Sequence, residues 1–491
     1  MNPIPQLLHQ RLLQAFPATP TAEQLQAMEC FVEFMTDSSP YQSLMILKGS
    51  AGTGKTTLAA AIVRAMTGLR QRIVLLAPTG RAAKVMETYS GHIAFTIHRR
   101  IYRQKVAGGF APFTLGNNLL RDCLFIVDES SMIANRGMTD SSFGTGCLLD
   151  DLVNYVYQGE SCRLLLIGDS AQLPPVGEAE SPALQAEVME GYGMRIYEAQ
   201  LNQVLRQSQQ SGILYNATRI RQLITHDELT QLPLIRLQGF ADVSVVMGNE
   251  LIETLASSYA QVGTDDTIVL TRSNKRANIY NQGIRARILD REEEISSGDM
   301  LMIVKNNYHW AAALGLQKEE EAPKLTFIAN GDRAIVRRVR NERSFYGLRF
   351  VDLTLNFPDY DQQELTVTAV LDSLLAEAPA LTKEQQQALF EGVMADYADI
   401  PHKRERMEKI KQDPYYNALQ VKFAYAMTCH KAQGGQWEHV YIDQGYMTDE
   451  MLTPDYIHWL YTAFTRASGK VFLVNWPKEQ LAPNPNKDDE R

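Results

Sequence analysis

Only five cysteines are present, Cys30, Cys123, Cys147, Cys162 and Cys429, and no two of them form a CxxC pair. That odd, scattered set excludes a zinc finger, an iron–sulfur cluster and a disulfide framework, and it fits reduced thiols. No apolar run approaches the roughly 20 residues that a membrane-spanning helix requires, and residues 1–16 lack the uninterrupted apolar core of a secretion signal. The expected location is therefore the cytoplasm. Positive charge is also short: 48 Lys and Arg stand against 57 Asp and Glu, a net charge of −9. A uniformly basic binding surface is excluded, whereas local grooves are not, because hydroxyls, amides and helix N-termini also hold phosphates. No internal repeat is visible, and no carboxylate cluster with nuclease spacing lies outside the motifs described next. The 491 residues, 45% of them hydrophobic, can bury two or three ordinary domains.

Against these absences stands Gly49-Ser50-Ala51-Gly52-Thr53-Gly54-Lys55-Thr56. A short apolar strand, residues 43–47, precedes it and a helical run beginning at Thr57 follows it. The glycines allow a tight loop whose N–H groups face phosphate oxygens, Lys55 neutralises the β- and γ-phosphates, and Thr56 ligates magnesium. ATP and Mg2+ are the cofactors this implies. A second apolar run, Cys123 to Val127, ends in Asp128-Glu129. Neighbours at a strand end point in different directions, so Asp128 is suited to the metal and Glu129 to positioning or deprotonating water. A third run, Arg163 to Ile167, ends in a proline-stiffened turn containing Gln172, whose neutral amide can report on the γ-phosphate. Gln24 forms a capping box with Thr21, and its amide is equally suited to read an adenine edge. Cys429 beside His430 is no nucleophilic dyad, since adjacent side chains diverge.

Taken in order, Pro78-Thr79-Gly80-Arg81-Ala82-Ala83-Lys84, Thr96-Ile97-His98-Arg99, Asp128-Glu129-Ser130, Gly168 to Pro175, Val204-Leu205-Arg206-Gln207, Thr428-Cys429-His430-Lys431-Ala432-Gln433-Gly434 and Thr465-Arg466-Ala467 resemble superfamily 1 helicases of the RecD and Dda type. The blocks span most of the chain. The resemblance implies an α/β fold with two RecA-like parallel-sheet domains. It also implies ATP hydrolysis coupled to stepping on single-stranded DNA, and 5′-to-3′ polarity. By position it makes Arg206 and Arg466 the two arginines that reach the γ-phosphate from the second domain, assigns Gln24 to the adenine, and places Gly435 at the nucleotide. Lys55 and Arg466 are 466 − 55 = 411 positions apart, so one ATP site is expected to be shared by two bodies. Taken alone, either arginine reads equally as a member of a surface ion pair.

The expected DNA track combines Pro78, Thr79, Gly80, Arg81, Thr96 and His98 on the first domain with Thr428, His430 and Lys431 on the second. Thr271, Asn274 and Asn281, after the strand-like residues 267–270, are similar to a further DNA-touching block, with an ordinary strand-to-helix turn as the alternative. An insertion at about residues 86–122 holds two arms around Gly108-Gly109. In the family an element here splits the duplex, which gives Phe110 and Phe113 a base-stacking role; covering the core is the alternative.

The expected division is 1–200 for the first domain, 201–298 with 421–491 for the second, and 299–420 for a β-rich insertion. That insertion is similar to the SH3-like barrel of the relatives, with Asn330-Gly331-Asp332 at its turn. Arg333, Arg337, Arg338, Arg340 and Arg343 read as a solvated face, with a DNA-guiding surface as the alternative, and the polar helical stretch 382–411 has no assigned role. The early position of Gln24 moves the resemblance toward compact Dda-like enzymes. Single-stranded DNA and its junctions with duplex are the implied partners, with replication or recombination proteins beside them. A translocating or regulatory ATPase subunit and an RNA helicase remain alternatives.

Overall fold

The computed structural model describes residues 3–39, 41–103, 113–136, 144–204, 211–226, 231–307, 309–311 and 328–483. The first eight strands are β1 (Ser43–Gly49), β2 (Arg72–Ala77), β3 (Ala94–Thr96), β4 (Tyr102–Arg103), β5 (Thr114–Leu115), β6 (Cys123–Val127), β7 (Arg163–Gly168) and β8 (Arg195–Leu201). Six of them form a sheet in the order β3-β2-β6-β7-β1-β8, all pairs parallel. Leu44 and Ile46 of β1 enter one core while Met45 and Leu47 enter the opposite one. Both faces are thus covered, which is why this strand reads as a continuous apolar run rather than an alternating one.

Strands β9 (Val243–Val246) and β10 (Thr267–Thr271) begin a second sheet. The chain then builds a closed barrel from β11 (Met300–Ile303), β12 (Arg333–Phe345), β13 (Leu348–Phe357), β14 (Gln363–Val370) and β15 (Leu419–Phe423). It returns through β16 (Ala426–Thr428), β17 (Trp437–Asp443) and β18 (Ala467–Val474). The second sheet is ordered β16-β10-β17-β18-β9 and is again parallel. The last barrel strand crosses the boundary expected at 420/421, because β15 and β16 are separated by only two residues and are almost wholly buried. An apolar pattern cannot divide them.

In the insertion of the first domain, β4 and β5 pair antiparallel, with Tyr102 opposite Leu115 and Arg103 opposite Thr114. The expected hairpin is present at its base, while Phe110 lies outside the described residues. The helices Lys383–Asp396 and Lys403–Gln412 are not a separate body. Leu389, Val393 and Ile410 close a small core with Leu348, Phe350 and Val370 of the barrel. Around it Tyr415 lies 5.1 Å from Phe350 and 5.0 Å from Phe345 between ring centroids. The helical stretch therefore braces the β12–β13 hairpin. Arg337, Arg338 and Arg340 on the same hairpin are exposed, as expected of a solvated face, whereas Arg333 and Arg343 are half-buried and Arg343 pairs with Asp352.

Candidate nucleotide site and nucleic-acid track

The phosphate loop joins β1 to the helix Lys55–Gly68. A Cβ on Gly49 would stand 2.9 Å from Lys55 Cγ and 3.1 Å from Leu201 Cβ, so only a glycine lets the loop turn against β8. Gly52 and Gly54 have φ of 76° and 86°, a left-handed geometry that glycine adopts without a steric penalty. Lys55 Nζ donates to the carbonyls of Gly49 and of Ser50, the latter at 3.1 Å, which holds the ammonium at the loop. Gln24 is buried. Its Oε1 accepts from Thr21 N at 2.9 Å, completing the capping box, and its Nε2 donates to Thr53 O at 3.0 Å.

In the parallel sheet, the ends of β6 and β7 open on the same edge as the loop. Asp128 accepts from the Tyr89 hydroxyl at 2.7 Å and from Glu129 N at 2.8 Å, which fixes its orientation. Glu129 has φ of 52°, costly for a non-glycine residue and of the kind that gathers at functional sites. Burial pushes its carboxyl above the ordinary range and Asp128 adds to this, whereas Arg466 and Lys55 oppose it. Arg466 arrives from the second sheet. Its guanidinium is buried, donates to the carbonyls of Gly435 and Thr462 at 3.2 Å each, and has NH1 4.0 Å from Glu129 Oε1. Gly435 thus serves as a support for Arg466.

Other groups close the same seam. The Tyr461 hydroxyl donates to Asp169 Oδ2 at 2.6 Å and accepts from Ala51 N at 3.2 Å. Leu173 N donates to Thr462 Oγ1 at 2.8 Å, and Gln433 Nε2 donates to Leu173 O at 2.6 Å. Beside these bonds Gln172 is buried, its Oε1 without a donor among the described residues. A buried amide oxygen without a donor is costly, and it suits a residue that changes partners with the nucleotide. Arg206 lies outside the described residues. Tyr461 escaped sequence reading although it stands five residues before Arg466 on the helix Pro454–Phe464.

The structure brings the two expected DNA blocks together. Thr79 caps the helix Gly80–Ser90 by accepting from Ala82 N at 3.2 Å. A Cβ on Gly434 would lie 2.9 Å from Ala82 Cβ and 3.1 Å from Thr79 Oγ1. Arg81 stacks on Trp437, 3.9 Å from the ring centroid, so it spans the seam as a cation–π contact. Gly80 faces the barrel, where a Cβ would overlap Asp332 Oδ1 and lie 2.9 Å from the Tyr360 hydroxyl. Pro78, Thr428 and Asn274 are half-buried and His430 is exposed. The Lys431 ammonium is buried without a partner among the described residues, and burial followed by the nearby Lys422 charge pushes it down to about 8. Thr96 caps its own short helix through Arg99 N. Burial pushes His98, beside Tyr102, down to about 4.

Three expectations need correction. Thr271 is fully buried and its hydroxyl donates to Ser273 O at 3.0 Å. Asn281, also buried, donates to Phe423 O and Ala426 O and accepts from Ala426 N at 2.8 Å. Both side chains are spent on the backbone between β10, β15 and β16 and are closed to DNA. Phe113 packs against the core of the first domain, the alternative to base stacking. We predict that Asn281→Ala lowers unfolding free energy by about 2 kcal/mol through stranded backbone groups, read as a denaturant midpoint, with the DNA affinity of the folded protein unchanged. A selective loss of DNA binding at unchanged stability would restore a direct contact.

Residues 21–232 match a family model described as an AAA domain, and residues 423–474 one described as a UvrD-like helicase C-terminal domain. The chain is 27% identical over 299 residues to the ATP-dependent RecD2 DNA helicase of Deinococcus radiodurans, covering 59% of this chain and 38% of that one. With the ATP-dependent DNA helicase dda of Enterobacteria phage T4 it shares 23% identity over 429 residues, 81% of this chain and 86% of that one. These matches make the chain similar to superfamily 1 helicases of the RecD and Dda type. A Bacteroides Pif1 helicase in complex with ADP-AlF3 and ssDNA aligns over 96% of both chains at 15% identity with a TM-score of 0.46. In this chain two parallel sheets meet at the phosphate loop and the barrel rests on Gly80.

Proposed function

We propose that the protein is an ATP-dependent DNA helicase that steps 5′ to 3′ along single-stranded DNA and unwinds duplex. The observation that carries this reading is the placement of Arg466, which leaves the second sheet buried and aimed at Glu129, while Glu129 also feels Lys55. Such a site is completed only when two bodies meet, so a change in the phosphate changes how they fit. A binding module has no use for that arrangement.

In this reading the loop N–H groups and Lys55 hold the phosphates of ATP, with Gln24 at the base and Thr57 beside Thr56. The hydroxyl of Thr56, in the first turn of the helix after the loop, and the carboxylate of Asp128, directly after β6, form a hard-oxygen donor set that fits magnesium. Bound there, magnesium would neutralise charge on the phosphate oxygens. Glu129 orients and deprotonates water, Gln172 follows the γ-phosphate, and Arg466, with Arg206, stabilises the charge that spreads over the transferring group. Thr79, Gly80 and Thr428 offer hydroxyls and a helix N-terminus to DNA phosphates, and Lys431, three residues after Thr428, adds an ammonium.

Strand displacement on 5′-tailed and 3′-tailed DNA and RNA duplexes tests the reading. Unwinding of the 5′-tailed DNA alone is expected. Preference for the 3′ tail would reverse the polarity, unwinding of RNA alone would change the substrate, and ATP turnover without displacement would leave a translocating subunit.

A further inference from the structure

We propose that Arg221 is a positioning residue for ATP hydrolysis, conveying closure of the two domains to the phosphate loop through the hydroxyl of Ser50. The proposal rests on the helicase reading above and adds a residue that none of the seven motif blocks contains. Arg221 lies on the helix Gly212–Thr225, capped by Ser211. That helix packs on the helix Pro454–Phe464, which carries Tyr461 and leads into Arg466. Arg221 NH1 donates to Ser50 Oγ at 2.6 Å, and NH2 reaches Asn202 O at 3.4 Å. Ser50 directly follows β1 and Asn202 directly follows β8, both strands of the first sheet. Arg221 therefore directs these bonds across the seam rather than to its own helix.

Leu214 stands seven residues earlier, two turns along the same helix face. Its Cδ2 is 3.1 Å from where a Cβ on Gly52 would stand. One face of one helix thus touches the loop at positions 50 and 52, and Tyr461 takes the N–H of Ala51 between them. Three consecutive loop residues are gripped from the second domain. Ser50 is tied in turn to the catalytic lysine, since its carbonyl accepts from Lys55 Nζ. A shift of the second domain is consequently felt at the ammonium that faces the phosphates. Among the described residues the buried Arg221 Nε has no acceptor, and both bonds that the guanidinium makes there run to the residues after β1 and β8.

The test is DNA-stimulated ATP hydrolysis by the full chain carrying Arg221→Ala, Ser50→Ala, both changes, or Arg221→Lys. Loss of one charge-assisted bond made across the seam should lower kcat about 10- to 100-fold while KM for ATP moves less than about threefold. Ser50→Ala should produce a comparable fall, the double variant should fall no further than the stronger single one, and Arg221→Lys should recover part of the rate. Wild-type kcat in either single variant, or effects that multiply in the double, would overturn the proposal. Thermal melting checks folding, and should Arg221→Ala fail to fold, Ser50→Ala decides alone. A wild-type chain with no DNA-stimulated hydrolysis would reject the helicase reading itself, whereas active wild type with unaffected variants rejects only the role of Arg221.

Discussion

Arg466→Ala is expected to bind ATP with near-wild-type affinity and to hydrolyse it about 10³-fold more slowly or worse in the presence of single-stranded DNA. Nucleotide affinity comes mainly from the loop and Lys55 on the first domain, so removing a group from the second leaves it nearly intact. Charge spreading over the phosphoryl oxygens during transfer is another matter, since a fixed guanidinium in a water-poor seam stabilises it without reorganising. Arg466 is held in place by Gly435 O, Thr462 O and Thr465 Oγ1. Arg466→Lys should not rescue the rate, because a single ammonium cannot reproduce the planar fork these acceptors orient. The readouts are fluorescent-nucleotide titration and steady-state phosphate release, and unchanged DNA-stimulated turnover in Arg466→Ala would reject the assignment.

Glu129→Gln should also keep ATP binding while lowering turnover by about 10²- to 10⁴-fold, the range for loss of a positioned general base. The sign of the pH effect follows from its surroundings. Burial raises the Glu129 carboxyl above the ordinary range, with Arg466 and Lys55 pulling the other way, and the base works only when ionised. The kcat/KM profile should accordingly fall as pH drops through this raised value, at higher pH than an exposed glutamate would give. In Arg466→Ala, with a lowering neighbour removed, that acid limb should move to still higher pH. A Glu129→Gln variant with wild-type turnover, or an acid limb at the usual carboxylate position, would remove Glu129 from the chemistry.

The phosphate loop was legible because its chemistry is local: eight consecutive residues between a strand and a helix dictate their own geometry. Asp128 and Glu129 were legible for a similar reason, lying at the end of an apolar strand. Arg466 was reachable only through the ordered motif blocks, since nothing in a stretch of residues says which arginine returns across 411 positions. Thr271 and Asn281 were misread because a polar side chain at a strand end or on a helix looks the same whether it faces solvent or satisfies buried backbone, and Met427 beside Thr271 and Phe423 and Ala426 beside Asn281 are remote in sequence. The same limit hid Arg221 and Tyr461, whose partners are on the other domain. The bracing helices Lys383–Asp396 and Lys403–Gln412 bury only Leu389, Val393 and Ile410, too sparse a stripe to reveal what they cover.

A structure of the protein with magnesium, ADP and an aluminium fluoride mimic of the transferring phosphoryl group tests the shared site most directly. The Arg466 guanidinium and the Lys55 ammonium should each lie about 3 Å from the mimic, on opposite sides, with Glu129 on the water in line with it. A mimic held by the first domain alone, with Arg466 still turned toward Gly435 and out of reach, would contradict an ATP site built by two domains.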